Sequence, residues 1–173
     1  MTDFDEKRRL AALQALNVLD TPEEPAFERI TDLAVLVLGI DTVLISLLDE
    51  DRQWFKSRRG LVDCAETPRE WAFCNHTVRK QAFFEVLDPE ADPRFATNPL
   101  VLEGPRVRYY AGAPVTMPGG EAVGTLCLLD NQPRPGLDQR ERQILAALAE
   151  LVARELELRQ TLRQALSLVS LAR

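Results

Sequence analysis

The residues best suited to chemistry lie in the stretch WAFCNHTV at positions 71–78, which contains Cys74 and the only histidine of the chain, His76. A cysteine and a histidine this close can form a redox centre, supply half of a metal site, or act as nucleophile and base. In a helix, residues two positions apart point about 200° away from each other, which makes a helical dyad geometrically poor. Cys74 fits a small buried hydrophobic residue, and His76 fits either a helix tether or a contact to a ligand carboxylate or phosphate.

A metal site requires more ligands than this stretch supplies. The other two cysteines, Cys64 and Cys127, stand alone in the sequence, whereas structural zinc sites use four ligands that usually arrive in closely spaced pairs. We therefore expect no metal and name no cofactor. Three widely spaced cysteines also argue against a disulfide framework and favour reduced thiols in a reducing compartment.

Composition and charge narrow the class of protein. The 173 residues are 46% hydrophobic and 28% charged, which is the balance of one globular domain with flanking segments. A formal net charge of −6 argues against nucleic acid as the main partner. The charged start MTDFDEKRRL is not a secretory signal, and the longest apolar runs are too short to span a bilayer. We expect a soluble, cytoplasmic protein that does not bind membranes.

Hydrophobic periodicity and turn residues predict the elements that position the WAFCNHTV stretch. Helices are predicted over residues 3–16, from Pro22 to Gly39 with Thr21 as N-cap, over residues 69–80, and from Asp138 onward. Strands are predicted over residues 42–48, 53–59, 83–88, 107–115 and 122–129, with a loop at residues 61–70. Gly112 and Gly124 lie inside strands, which indicates close backbone approach. This order favours an α+β fold with a mostly antiparallel sheet and helices on one face.

The C-terminal helix carries an apolar stripe with alternating steps of four and three residues, the pattern of a coiled-coil seam. The stripe consists of Ile144, Leu148, Leu151, Glu155, Leu158, Leu162, Ala165 and Val169. About 36 helical residues would span about 54 Å, which is longer than a small domain. We therefore expect a homodimer, with interface residues Ile144, Leu151, Leu158, Leu162 and Val169. A helix packed wholly on its own sheet is the alternative.

With these elements placed, the chain resembles a GAF domain, of the subgroup found in bacterial diguanylate cyclases, histidine kinases and short stand-alone proteins. The resemblance covers roughly residues 8–130, and its matching stretches, in order, are RRLAALQALNVLDTPEEPAFERIT, ISLLDEDRQWFKSRRGL, ETPREWAFCNHTV, DPEADPRFATNPLV, VRYYAGAPV and GTLCLLD. It implies an antiparallel sheet of about six strands, with terminal helices on one face and a ligand pocket on the other. It divides the chain into an N-terminal helix (1–20), a GAF core (21–136) and a C-terminal helix (137–173) that is part core and part dimer or signalling coiled coil.

The resemblance also implies where a ligand would bind. Residues 69–110 would form the pocket face, which brings Phe73, Cys74, His76, Arg106, Arg108, Tyr109 and Tyr110 near any ligand. Arg106 and Arg108 flank Val107 and could grip an anion together, or form surface salt bridges. A bilin is not expected, because bilin-binding GAF domains attach the pigment to a cysteine directly followed by histidine, and Asn75 intervenes here.

These observations favour a ligand-sensing regulatory domain in bacterial signal transduction, in two-component or cyclic di-GMP systems, with a small-molecule ligand and a kinase or cyclase as effector. On this interpretation the chain is not an enzyme. No effector sequence is recognisable, which leaves a sensor fragment or a small protein that acts through a partner. Two alternatives remain: a thiol-based enzyme that reduces free methionine sulfoxide, although the glycine-rich cysteine loop of that family is missing, and a dimerisation module with an empty pocket.

Overall fold

The computed structural model describes residues 3–60 and 63–171, with side chains from residue 5 to residue 170. The ends of the predicted terminal segments (1–2 and 172–173) and residues 61–62 of the predicted loop lie outside this description. The helices are α1 (Asp3–Ala15), α2 (Pro25–Leu38), α3 (Cys74–Lys80), α4 (Pro99–Leu102) and α5 (Gln139–Leu171), with a 3₁₀ turn at Arg69–Trp71. The strands are β1 (Thr42–Leu48), β2 (Arg52–Arg59), β3 (Glu66–Pro68), β4 (Phe84–Val86), β5 (Tyr109–Thr116) and β6 (Ala122–Asp130).

The strands form one six-stranded sheet in the order β3-β2-β1-β6-β5-β4, and every neighbouring pair is antiparallel. The strand β1 is buried along its whole length because it lies in the middle of the sheet with both faces covered. Its side chains alternate between the faces, so that Val43, Ile45 and Leu47 meet the helices while Leu44 and Leu48 meet the loops. The predicted α+β fold with an antiparallel sheet of about six strands is confirmed.

Two hydrophobic cores lie on opposite faces of the sheet. The larger one packs the sheet against α1, α2 and the first half of α5, through residues such as Leu13, Phe27 and Leu145. The smaller one lies beneath α3, α4 and the connecting loops, and it contains Phe73 and Tyr110. Any site on this second face is therefore formed by short helices and loops on a rigid sheet.

The helix ends follow local capping chemistry. Gly39 ends α2 in a left-handed conformation with φ 62°, as predicted, because a residue without Cβ adopts this conformation at no steric cost. The start of α2 differs from the prediction: the helix begins at Pro25 rather than Pro22, and the Thr21 hydroxyl donates to the Val18 carbonyl instead of capping it. At the start of α5, Asp138 and Glu141 accept hydrogen bonds from each other's backbone N–H groups, which is a capping box.

Three further boundaries differ from prediction around the second face. The predicted helix over residues 69–80 is interrupted, because Ala72 is extended with ψ 116° between the 3₁₀ turn and α3. Part of the predicted loop at 61–70 is the edge strand β3, which pairs with β2 although its three residues show no periodicity. The strand predicted from residue 107 begins at Tyr109, because Arg106 has φ 60° and turns the chain just before it.

The helix α5 is covered by its own domain only along its first half. Ile144 is partly buried against the larger core, whereas Leu151, Leu158, Leu162 and Val169 of the predicted dimer interface are exposed. Among the side chains that the structure describes, Leu156 is the last buried one in α5, and all of those from residue 161 to residue 170 are exposed. Ile144 therefore differs from the other four, because it faces its own sheet.

Candidate functional site

Four of the residues predicted to surround a ligand meet beneath α3, where aromatic rings pack on one another. The Phe73 ring stacks on the rings of Phe95 and Tyr110, with centroids 4.2 and 5.2 Å apart. The His76 ring stacks on Phe84 at 5.4 Å. Phe73, Cys74, His76 and Tyr110 thus share one cluster, in which their side chains pack together.

Gly112 on β5 permits this packing. A Cβ atom added there would lie 2.2 Å from the Tyr110 hydroxyl and 3.0 Å from Thr77 Oγ1, and the two hydroxyl oxygens are themselves 2.8 Å apart. The predicted close approach at Gly112 is therefore an approach of the Tyr110 side chain. Because the hydroxyl is bound to Thr77, Tyr110 links the sheet to α3.

The surroundings of the His76 ring favour its neutral form. Burial lowers its pKa, and the neighbouring cations Arg94, Arg79 and Lys80 lower it further. The imidazole is therefore predominantly neutral near pH 7. A neutral ring stacked on Phe84 favours a packing role over recognition of a carboxylate or phosphate.

The remaining three predicted residues, Arg106, Arg108 and Tyr109, lie outside this aromatic cluster. Arg106 is exposed and precedes the strand, while Arg108 pairs with Glu90 at 2.7 Å, so the two guanidinium groups do not share a strand face. Tyr109 lies in the larger core, because successive strand residues face opposite sides. Its hydroxyl donates to Glu85 at 2.9 Å.

The cavity on this face lies beside the aromatic cluster, towards the β2–β3 edge of the sheet, and has a volume of about 540 Å³. Sheet, edge strand and loops all contribute to its lining: Leu44, Gln53, Phe55, Asp63, Cys64, Glu66, Thr67, Pro68, Trp71, Leu100, Gly104, Pro105, Val107 and Leu129. This volume and a mostly apolar wall are typical of small-molecule sites. The alternation of β2, which places Gln53 and Phe55 on one side, is the sequence signal that could have indicated this wall.

Gln53 is the unusual polar residue of the cavity wall. The residue is 4% exposed, and its amide nitrogen donates to Thr67 Oγ1 at 3.3 Å. Its amide oxygen is buried without a hydrogen-bond partner among the described residues. Because an unpaired buried acceptor costs about 1–3 kcal/mol, such a group in a cavity wall favours a ligand that donates to it.

Two cations, the buried Lys56 and the partly buried Arg69, connect the walls of the cavity to the helices on the far side of the sheet. On β2, the Lys56 ammonium contacts Glu24, which in turn pairs with Arg159 of α5, each at 2.7–2.8 Å. Beside the cavity, the guanidinium of Arg69 contacts Glu6 of α1 at 2.7 Å. Each network therefore joins a residue adjacent to the cavity lining to a terminal helix.

A buried pair of cysteines lies within the smaller core. Cys74 Sγ and Cys127 Sγ are 3.5 Å apart, whereas Cys64 is exposed at the cavity. Among the described residues, no three His, Cys, Asp or Glu side chains converge as a metal site would require. In the same part of the chain, no helix has the length and hydrophobicity needed to cross a lipid bilayer.

An antiparallel sheet with helices on one face and a loop-walled cavity on the other defines an α+β domain. The chain belongs to the GAF domain family, whose model matches residues 22–156. Cyclic di-GMP phosphodiesterase PA2567 of Pseudomonas aeruginosa is 40% identical over 148 residues, covering 86% of this chain and 25% of that protein. The chain therefore spans about a quarter of the length of the curated relative it matches.

Two solved structures illustrate the fold. Free methionine-R-sulfoxide reductase from Neisseria meningitidis, in complex with its substrate, has a TM-score of 0.63 and 18% identity, covering 95% of each chain. The GAF domain from Acinetobacter phosphoenolpyruvate-protein phosphotransferase has a TM-score of 0.62 and 16% identity, covering 91% of this chain and 95% of that one. At this level of identity the likeness shows the fold alone.

The names of these proteins correct one expectation from the sequence. The prediction that the chain is not an enzyme is contradicted, because the curated relative is named a phosphodiesterase. The resemblance to GAF domains of bacterial sensor proteins is confirmed, since the structural neighbours include a domain of a two-component sensor histidine kinase protein.

Proposed function

We propose that this chain is a ligand-sensing GAF domain that regulates cyclic di-GMP turnover in the bacterial cytoplasm. The observation that carries the proposal is the cavity of about 540 Å³ with a buried, unpaired amide oxygen in its wall. The link to cyclic di-GMP rests on the 40% identical relative, which is named a phosphodiesterase of that nucleotide. The ligand is a small molecule that fits the apolar wall and donates a hydrogen bond to Gln53.

The strand β2 offers a route from the cavity to α5. Phe55 lines the cavity, and the next residue, Lys56, faces the helices and binds Glu24, the partner of Arg159. A ligand that moves β2 changes the position of this ammonium relative to α5. Such a ligand shifts the arrangement of the helices only as far as it binds one arrangement more tightly than the other.

A second route runs through Arg69 in the 3₁₀ turn between two lining residues, Pro68 and Trp71. Its guanidinium donates to Glu6 on α1 and to the carbonyl of Asp49 in the β1–β2 turn. Closure of this wall over a ligand therefore pulls on α1. Both terminal helices then respond to occupancy of the same cavity.

The exposed half of α5 would carry the signal as one of the two helices of a homodimeric coiled coil. Leu158 and Leu162 are 52% and 55% exposed, and both lie on the predicted coiled-coil stripe. We expect Leu158→Glu with Leu162→Glu to convert a dimer to a monomer in sedimentation equilibrium. Leu102→Glu, at a 59% exposed leucine of α4, is the matched control and should leave the dimer intact. A wild-type protein that is monomeric at all concentrations would refute the dimer.

Native mass spectrometry of the protein from its own host tests the sensing role. Leu100→Trp should fill the cavity, because Leu100 lines it. Leu102→Trp changes the exposed leucine two residues further along α4. We expect a retained small molecule in the wild type and in Leu102→Trp, and its loss in Leu100→Trp. Ligand-free masses for all three proteins, or a ligand retained in Leu100→Trp, would contradict the proposal.

One observation favours a thiol-based reductase as the second candidate: Cys64 is exposed and lines the same cavity. Incubation with free methionine-R-sulfoxide and dithiothreitol tests this candidate. Turnover that Cys64→Ser or Cys127→Ser abolishes would establish it. Absence of turnover above the rate of dithiothreitol alone would exclude it.

A further inference from the structure

The buried thiol pair, Cys74 and Cys127, has a geometry that neither ligand binding nor cyclic di-GMP turnover explains. Cys74 is the first residue of α3, and Cys127 lies in the middle of β6. Their sulfur atoms are 3.5 Å apart, and the two residues are 2% and 1% exposed. A disulfide requires a sulfur–sulfur distance of about 2.05 Å, so a relative movement of about 1.5 Å would bring the two atoms to bonding distance.

The groups around the thiol pair favour ionisation of one of the two thiols. Thr125 and Tyr110 donate hydroxyl hydrogen bonds to Cys74 Sγ, at 3.0 and 3.4 Å. Burial raises the pKa of the Cys74 thiol, but hydrogen bonds from Cys127, Thr125 and Tyr110 outweigh burial and lower it to about 7. The pKa of Cys127 is raised well above its ordinary value, first by its hydrogen bond to Cys74 and then by burial. Cys74 is therefore the nucleophile of the pair, and Cys127 keeps its proton.

We propose that Cys74 and Cys127 form a reversible disulfide-modification site that hydrogen peroxide oxidises. The Cys74 thiolate attacks one peroxide oxygen, the O–O bond breaks, and the released hydroxide takes up a proton to give water and a Cys74 sulfenic acid. Cys127 then loses its proton and attacks the sulfenic sulfur, and the sulfenic oxygen leaves as a second water. In sum, two thiols and one hydrogen peroxide give one disulfide and two waters.

Burial of the two thiols limits which oxidants can reach them. Hydrogen peroxide is as small as a water pair and enters a core through local opening, whereas glutathione disulfide would have to place a tripeptide between α3 and the sheet. Exposed Cys64 experiences no such restriction. The bond would tie α3 to β6, directly after the segment that carries Phe73, and thereby fix one wall of the second face.

Peroxide treatment of the folded Cys64→Ser protein tests the proposal, because this variant retains only the thiol pair. We expect the intact mass to fall by the mass of two hydrogen atoms, both alkylatable thiols to disappear, and one peptide pair joining Cys74 to Cys127 to appear. Dithiothreitol should restore both thiols. Glutathione disulfide at the same concentration should leave the folded protein unchanged while it modifies Cys64 in the wild type.

Two further variants separate a redox site from a pair that only fills space. In Cys127→Ser, the reaction with peroxide should stop at a Cys74 sulfenic acid that dimedone traps. In Cys74→Ser, the Cys127 thiol should stay reduced. Circular dichroism establishes that each variant is folded, and Cys127→Ala or Cys74→Ala replaces the serine variant of the same residue if that variant is not folded. If both thiols of folded Cys64→Ser stay reduced, or link only after denaturation, the pair is structural and the proposal fails. These outcomes are independent of whether the cavity holds a ligand.

Discussion

The Lys56–Glu24 contact makes a quantitative prediction about stability. The Lys56 side chain is fully buried, and its three N–H groups are satisfied by Thr21 Oγ1, the Pro22 carbonyl and Glu24 Oε1, at 2.7–3.0 Å. Glu24→Ala removes the only negative charge among these partners. Breaking a buried ion pair from one side costs about 3–5 kcal/mol, because the remaining charge is left without compensation. Lys56→Met should cost no more than about 1–2 kcal/mol, since Glu24 remains partly exposed and keeps Arg159.

Urea unfolding measures this asymmetry. For a slope of about 2 kcal/mol per molar urea, Glu24→Ala should lower the midpoint by about 2 M and Lys56→Met by less than about 1 M. The double variant should resemble Lys56→Met alone, because the charge that Glu24 compensates is then absent. Asp20→Ala breaks a contact to Arg52 made by a carboxylate that is largely exposed, and this control should cost about 0–1 kcal/mol.

The stability deficit of Glu24→Ala should also depend on pH. Burial lowers the pKa of Lys56 below its ordinary value of 10.5, so the protonated form is penalised in the folded protein. This penalty is present below the folded pKa and disappears as the pH rises towards 10.5. Because the penalty is larger without Glu24, the deficit of Glu24→Ala should shrink between pH 7 and pH 9.5. A stability deficit of Glu24→Ala that is constant with pH would refute a buried, unsolvated ammonium group at Lys56. Additive losses of stability in the double variant would refute it as well.

Three further predictions concern the packing of the second face and the attachment of α1. Gly112→Ala should lower the stability by about 1–3 kcal/mol in urea unfolding, because the new Cβ collides with the Tyr110 hydroxyl. Burial is the main cause that lowers the pKa of His76, so the stability of the wild type should fall as the pH drops below about 6.5. His76→Gln should reduce this loss, and equal pH profiles for the two proteins would contradict the pKa shift. Hydrogen bonding to Arg9 lowers the pKa of Glu6 to about 2, so the stability that this contact provides above pH 4.5 should be lost towards pH 2 in the wild type. In Glu6→Gln, the free energy of unfolding should depend less on pH over this range.

The sequence predicted the fold well because the signals for it are local. The run TVLISLL is apolar at five of its seven positions, with apolar residues at both odd and even positions, which suits a central strand covered on both faces. Gly39 fits the end of α2 because a left-handed residue there requires no Cβ. These features depend on a few neighbouring residues and survive in any tertiary arrangement.

The position of the cavity was not predictable in the same way. Whether Phe73 lines a pocket or fills it depends on Phe95, a residue 22 positions away whose ring stacks on it. The positive φ of Arg106, which removes its side chain from β5, has no signal in the stretch PRVRYY. The thiol pair likewise depends on α3 crossing β6, which separates the two cysteines by 53 positions in sequence.

The arrangement of charge around β2 suits the proposed coupling between the cavity and the helices. Ammonium and guanidinium groups that are buried tolerate little displacement from their partners, because each lost contact leaves a charge without solvent. Lys56 and Arg9 are both 2% exposed, and their partners Glu24 and Glu6 also bind Arg159 and Arg69. Apolar contacts at the same positions would accommodate a small shift of β2 by sliding. Under the proposed sensing function, a shift of β2 would make each shared carboxylate favour one of its two cationic partners, and this would give the two discrete arrangements on which a regulatory switch depends.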